Sequence, residues 1–111
     1  MHNLKQNFLN KYIFQGLTDL NDGFDTEKIS YFSEADFKIV LDRIEKMKIG
    51  VYGMEPWLNE TFYDVASYED YTDDPMDSNW YRQAFEEFVS KKENLCYSAS
   101  YYIPQIENKI S

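Results

Sequence analysis

The sequence has one cysteine, Cys96, and one histidine, His2. A lone cysteine excludes an intramolecular disulfide and any thiolate metal cluster within the chain, which fits a reducing compartment. A lone histidine at a segment expected to fray excludes a histidine-based acid/base pair or triad. The four glycines, at 16, 23, 50 and 53, are scattered, and Gly50-Val51-Tyr52-Gly53 lacks the lysine or helix start that a phosphate-cradling loop needs. No apolar run approaches the ~18 residues of a membrane span, and Met1 to Asn7 shows no basic segment leading into an apolar core of ~7–15 residues. A cytoplasmic protein without a membrane-spanning segment is therefore expected. Most telling is a deficit of one charge sign: between Lys48 and Arg82 there is no lysine or arginine.

That gap is filled with carboxylates. Of the net charge of −9, eight units come from Glu55, Glu60, Asp64, Glu69, Asp70, Asp73, Asp74 and Asp77, while the flanking segments nearly balance. Carboxylates without counter-charges repel one another, so such a stretch either faces solvent or awaits a cationic partner. The plain reading is a solvated acidic face that aids solubility. Against it, the same stretch holds Tyr52, Trp57, Phe62, Tyr63, Tyr68, Tyr71, Trp80 and Tyr81. Aromatic anchors among like charges are the composition of a recognition surface. The candidate partner-binding residues are accordingly Glu55, Trp57, Glu60, Asp64, Tyr68, Glu69, Asp70, Tyr71, Asp73, Asp74 and Asp77.

The chain of 111 residues suits one domain spanning 1–111, and its 20 aromatic side chains can fill a core despite the charge. The clearest helix runs from Ser33 or Glu34 to about Lys48. Ser33 is placed to cap it, Phe32 and Phe37 occupy hydrophobic-staple positions, and Phe37, Val40, Leu41, Ile44 and Met47 share one face. A second helix begins at Asp74-Pro75 or later, between Asp77 and Asn79, and reaches about Lys92, with Trp80, Tyr81, Ala84, Phe85, Phe88 and Val89 apolar. Strands are expected over Ile49 to Met54 and Thr61 to Ser67, joined by a turn from Glu55 to Glu60. Leu95 to Ile103 alternates, with Cys96, Ser98, Ser100 and Tyr102 forming a small-polar face, and Pro104 ends it. Leu4 to Gln15 reads as a helix closed by Gly16, Asn21-Asp22-Gly23 as a turn, and Ile29 to Phe32 as a short strand. The fold class is α+β: a small, mainly antiparallel sheet of three to four strands packed with two to three helices.

Chemistry is sparse. Cys96 beside Tyr97 in a strand reads as a buried, inert thiol, because no cationic neighbour would hold a thiolate. The run Asp70 to Asp77 starts like a calcium loop, but Pro75 stands where its glycine belongs and Tyr81 where its bidentate glutamate belongs. No catalytic residue, metal or cofactor is expected, and a net charge of −9 argues against direct nucleic-acid binding.

Four segments, Phe32-Ser33-Glu34-Ala35-Asp36-Phe37, Gly50-Val51-Tyr52-Gly53-Met54-Glu55-Pro56-Trp57, Trp80-Tyr81-Arg82-Gln83-Ala84-Phe85-Glu86-Glu87-Phe88 and Tyr97-Ser98-Ala99-Ser100-Tyr101-Tyr102, carry a further signal. In these segments, and in size and acidity, the chain resembles the immunity proteins of bacterial contact-dependent growth inhibition and other polymorphic toxin systems. The resemblance implies a cytoplasmic inhibitor that occludes the active site of one cognate toxin, commonly a basic nuclease domain. A phage-type nucleic-acid mimic blocking a DNA-binding protein, or a small adaptor or regulatory domain, are the alternatives.

Overall fold

Ser33 decides where the first long helix starts. The computed structural model describes residues 4–25 and 29–107. In it, Ser33 is extended and its hydroxyl accepts from the Asp36 amide, capping α2 (Glu34–Met47). Glu34 and Asp36 lie in the first turn, where carboxylates complement the positive end of the helix dipole. The apolar spacing then buries Phe37, Val40, Leu41 and Ile44 on one face, as the sequence requires. Lys48, at φ 60°, closes the helix in the left-handed region, and the Ile49 amide bonds back to Ile44.

α3 (Ser78–Lys91) is capped by Asp77, whose carboxylate accepts from the Asn79 amide, so the later of the two expected starts is correct. It buries Trp80, Tyr81, Ala84, Phe85 and Phe88. Arg82 ties α3 to α2 by bonding both Asp42 and Glu45, at 2.8 and 2.7 Å. The N-terminal helix α1 (Leu4–Phe8) continues into a π-helical turn over Leu9–Ile13, and Arg43 donates to the carbonyls of Ile13 and Gln15 to hold its end.

Among the described residues five antiparallel strands form one sheet: β1 (Phe32–Ser33), β2 (Gly50–Leu58), β3 (Thr61–Phe62), β4 (Ala66–Ser67) and β5 (Cys96–Tyr102). β5 lies between β1 and β2, and the far edge of β2 is shared by β3 and β4. A fourth helix, α4 (Pro104–Glu107), follows β5. The α+β class is as the sequence indicates, with one strand and one helix more than expected.

Four boundaries differ from expectation. β2 runs through Pro56 to Leu58, and the turn shrinks to Asn59-Glu60, both with positive φ. Pro56 is tolerated because its carbonyl, and with it the position of its missing N–H, faces the edge where pairing passes from β4 to β3; the Tyr63 and Asp64 amides fold in to that carbonyl. The expected single strand over Thr61 to Ser67 is therefore two short strands. The short strand expected over Ile29 to Phe32 is instead Phe32–Ser33. Pro104, expected only to end β5, also begins α4, a position where a proline needs no N–H.

The helices cover one face of the sheet. Phe32, Val51, Met54, Tyr97 and Tyr101 point into this core with Leu41, Ile44, Trp80 and Phe85. Tyr97 is stacked on Phe37 at 5.2 Å and meets Phe85 edge-on at 5.0 Å. Trp80 donates its indole N–H to the Val51 carbonyl. The loop before α3 is locked to β2 at Gly50: the Val51 amide bonds to the Pro75 carbonyl, and a Cβ on Gly50 would come within 2.9 Å of that oxygen.

Candidate functional site

The period of two along β2 and β5 sends the remaining side chains to the other face of the sheet. There, Cys96, Ser98, Ser100 and Tyr102 of β5 lie beside Trp57, Glu55 and Gly53 of β2, with Phe62 of β3 and Ser67 of β4 beyond. Among the described residues, helices α2 and α3 pack on the opposite face, and this one is dressed at its two ends by aromatic clusters.

At one end Trp57 sits against Phe24, Tyr31 and Phe62. The loop bearing Phe24 is held down because Asp19 accepts from the amides of Asn21 and Tyr31, and the Tyr31 hydroxyl donates to Asp25. Burial first, and then that bond to Asp25, push the Tyr31 phenol well above its usual range. At the other end a register shift between Val51 and Gly53 releases Tyr52, which packs on Tyr68 and Tyr102. Between the clusters lies a groove of about 240 Å³ whose floor is Gly53, Ser98 and Ser100, whose walls are Ile29 and Val65, and which Glu55 borders. Glu55 accepts a 2.7 Å bond from the Trp57 indole N–H.

Val65 is also the ridge to a second concavity of about 360 Å³, lined by Asp64, Asp70, Tyr71, Glu87 and Lys91 among others. Tyr71 donates to Glu87 at 2.6 Å and packs its ring on Trp80. Burial, followed by the bond to Glu87 and the charges of Glu87, Asp70 and Asp64, pushes its pKa up to about 12. Conversely, the bonds from Tyr71 and Gln83 hold Glu87 below the usual carboxylate range.

The eleven sequence-nominated residues therefore do not form one patch. Glu55 and Trp57 belong to the sheet face. Asp64, Asp70 and Tyr71 meet around the second concavity, and Tyr68 supports Tyr52. Glu60 is at the tip of the β2–β3 hairpin, and Glu69 is exposed on the 3₁₀ turn Tyr68–Asp70. Asp73, Asp74 and Asp77 are on the loop into α3, where Asp74 accepts from the Met76 amide and Asp77 caps the helix. Among the described residues none of the eight carboxylates forms an ion pair; the pairs present are Lys5 with Glu107 and Arg82 with Asp42 and Glu45.

Sequence reasoning missed Glu87, which lies in the charge-balanced stretch 82–111 yet joins Asp64 and Asp70 in space. It also missed the exposed Val65, and it counted Phe62 among the aromatics of the acidic stretch without nominating it; the two are 56% and 52% accessible. The small-polar alternation of Cys96 to Tyr102 was the available signal for the floor of the groove. Among the described residues no set of three or more His, Cys, Asp or Glu side chains is disposed to hold a metal ion, and no helix is long and apolar enough to cross a membrane. His2 lies outside the described residues. Comparison with protein-family models, with curated proteins and with solved structures gives no match for this chain.

Proposed function

We propose that this protein binds a basic protein through its open sheet face and the adjoining acidic rim, and that it neutralises a toxin in the manner of an immunity protein. The supporting observation is the coincidence of unpaired carboxylates with exposed apolar side chains. Glu55, Asp64 and Asp70, which lack ion-pair partners among the described residues, line the two concavities that Val65 divides, and Phe62 stands exposed against Trp57. A solubilising face needs the charge but gains nothing from exposed Phe and Val. A cationic active cleft, such as a nuclease needs for phosphate, would be drawn to the carboxylates and held by burial of the apolar ridge.

Co-expression supplies the test. A toxin encoded in the adjacent reading frame should arrest growth alone and fail to do so with this protein. In vitro, Asp70→Lys with Asp73→Lys, two exposed positions whose carboxylates bond no backbone amide among the described residues, should slow association with that toxin by about tenfold or more at low salt. The effect should shrink as salt rises. Glu86→Lys on α3 with Glu93→Lys just past its end changes net charge equally, at positions that line neither concavity, and should slow association much less. Adjacent genes with no toxic product, or equal loss in both pairs, would count against the proposal.

A further inference from the structure

The groove between Ile29 and Val65 is too small for most ligands. Its volume of about 240 Å³ falls below the ~300–1,000 Å³ usual for small-molecule and cofactor sites, and is of the size that one long side chain fills. The floor is low because Gly53 has no side chain and Ser98 and Ser100 have short ones. Even a Cβ on Gly53 would stand 3.3 Å from the Ala66 carbonyl oxygen and 3.6 Å from Ser100 Oγ. The walls are aliphatic and face solvent, Ile29 at 37% and Val65 at 56% accessibility. The Asn21 side-chain amide holds the Ile29 wall in place by donating to its carbonyl.

Glu55 gives the groove its sign. One carboxylate oxygen is fixed by the Trp57 indole at 2.7 Å, and the other has no donor among the described residues. A carboxylate oriented in this way beside aliphatic walls and serine hydroxyls selects a guest with an apolar stem and a cationic, multi-donor head. We infer that the groove receives a single arginine side chain projected by the partner. This assignment rests on the basic-protein reading above and adds the contact through which recognition is made. The methylenes lie along Ile29 and Val65, and the guanidinium donates to Glu55 and to the serine oxygens, which only a planar fork of several N–H groups can reach together. A lysine offers a more strongly hydrated point charge with fewer directed donors. An apolar anchor would leave the Glu55 carboxylate desolvated without a counter-charge, and an acidic one would be repelled.

The probe is acetyl-Gly-Arg-Gly-amide, titrated into the full-length ¹⁵N-labelled protein and followed by amide NMR, with the citrulline and lysine tripeptides as comparisons. Citrulline keeps the shape of arginine without its charge. For a peptide this small the expected dissociation constant is on the order of millimolar. Saturable shifts are expected at Gly53, Val65, Ser98 and Ser100 with the arginine peptide, weaker ones with lysine and none with citrulline. Glu55→Gln should weaken binding about tenfold, and Ser100→Trp, at an exposed floor position, should abolish it. Should Ser100→Trp fail to fold, Val65→Ser removes one wall at an exposed site and should weaken binding instead. Absence of saturable shifts at these four amides, equal responses to arginine and citrulline or to arginine and lysine, or unchanged binding in Glu55→Gln would overturn the assignment. The growth-arrest assay is independent of this titration. Rescue without peptide binding removes only the arginine assignment, whereas peptide binding without any toxin to neutralise removes only the immunity reading.

Discussion

Tyr97 is the residue whose environment is most at odds with its chemistry. Its ring is wholly buried between Phe37 and Phe85, yet its hydroxyl has no hydrogen-bond partner among the described residues. Burial pushes the phenol far above its usual range. A buried, unsatisfied hydroxyl is a net cost, while the ring contributes packing. Tyr97→Phe keeps the ring contacts and removes the orphan, so the variant should be at least as stable as the parent, with a gain of about 1 kcal/mol by urea unfolding. A loss of that size would mean the hydroxyl is satisfied in solution. Tyr71 is the opposite case, since its hydroxyl is spent on Glu87. A carboxylate with a lowered folded-state pKa contributes stability above the ordinary carboxylate range, and that contribution is lost as pH falls through the lowered value. Tyr71→Phe should therefore raise the Glu87 pKa in a carboxyl NMR titration. Its destabilisation relative to the parent should be largest near neutrality and vanish in acid. The sequence could nominate Tyr71 and Asp70 by composition, but not Glu87 as their neighbour, because that proximity is created by docking α3 beside the segment 61–71.

Helices α2 and α3 and strand β5 were legible in the sequence because each is long enough to show its period and two carry a side-chain cap. Strands β3 and β4, of two residues each, show no period and exist through pairing with β2. Pro56 misled the reading of β2, since a proline ordinarily marks a turn and only the break between β3 and β4 explains its place inside a strand. The true turn, Asn59-Glu60, takes the two positive φ values of a type I′ hairpin. Asn59 suits the first position. Glu60, at φ 65°, does not suit the second, where a residue with a Cβ is strained by ~1–2 kcal/mol. Glu60→Gly creates the favoured Asn-Gly pair and should stabilise the protein by about 1 kcal/mol, less the greater unfolded-chain entropy of glycine. Denaturant unfolding measures this directly. A destabilised variant would show that this turn is not the one formed in solution.

At the scale of the whole molecule, charge was the most legible property and surface the least, because charge is fixed by composition while a surface depends on which segments meet. The net charge of −9 is carried by a body of only 39 × 31 × 20 Å. At about 0.01 M ionic strength the screening length is about 30 Å, so nearly every carboxylate senses every other; at about 1 M it is about 3 Å and only contacts remain. Repulsion among uncompensated acids destabilises the compact state more than the expanded chain. The thermal midpoint should therefore rise with added sodium chloride, by several degrees if about 1 kcal/mol of repulsion is screened in a domain of this size. The Asp70→Lys, Asp73→Lys pair should be more stable than the parent at low salt and should respond less to salt, because it places cations among Glu69, Asp74 and the carboxylates around Tyr71. A pair at Glu86 and Glu93 lowers the net charge equally, but Lys91 and Lys92 lie close by in the chain, so it should recover less. A midpoint that ignores salt, or equal gains from both pairs, would mean that the acids of residues 55–77 are held too far apart to oppose folding. A surface without stored repulsion would lose none on binding a basic partner, and recognition would then rest on the groove and the apolar ridge at Phe62 and Val65.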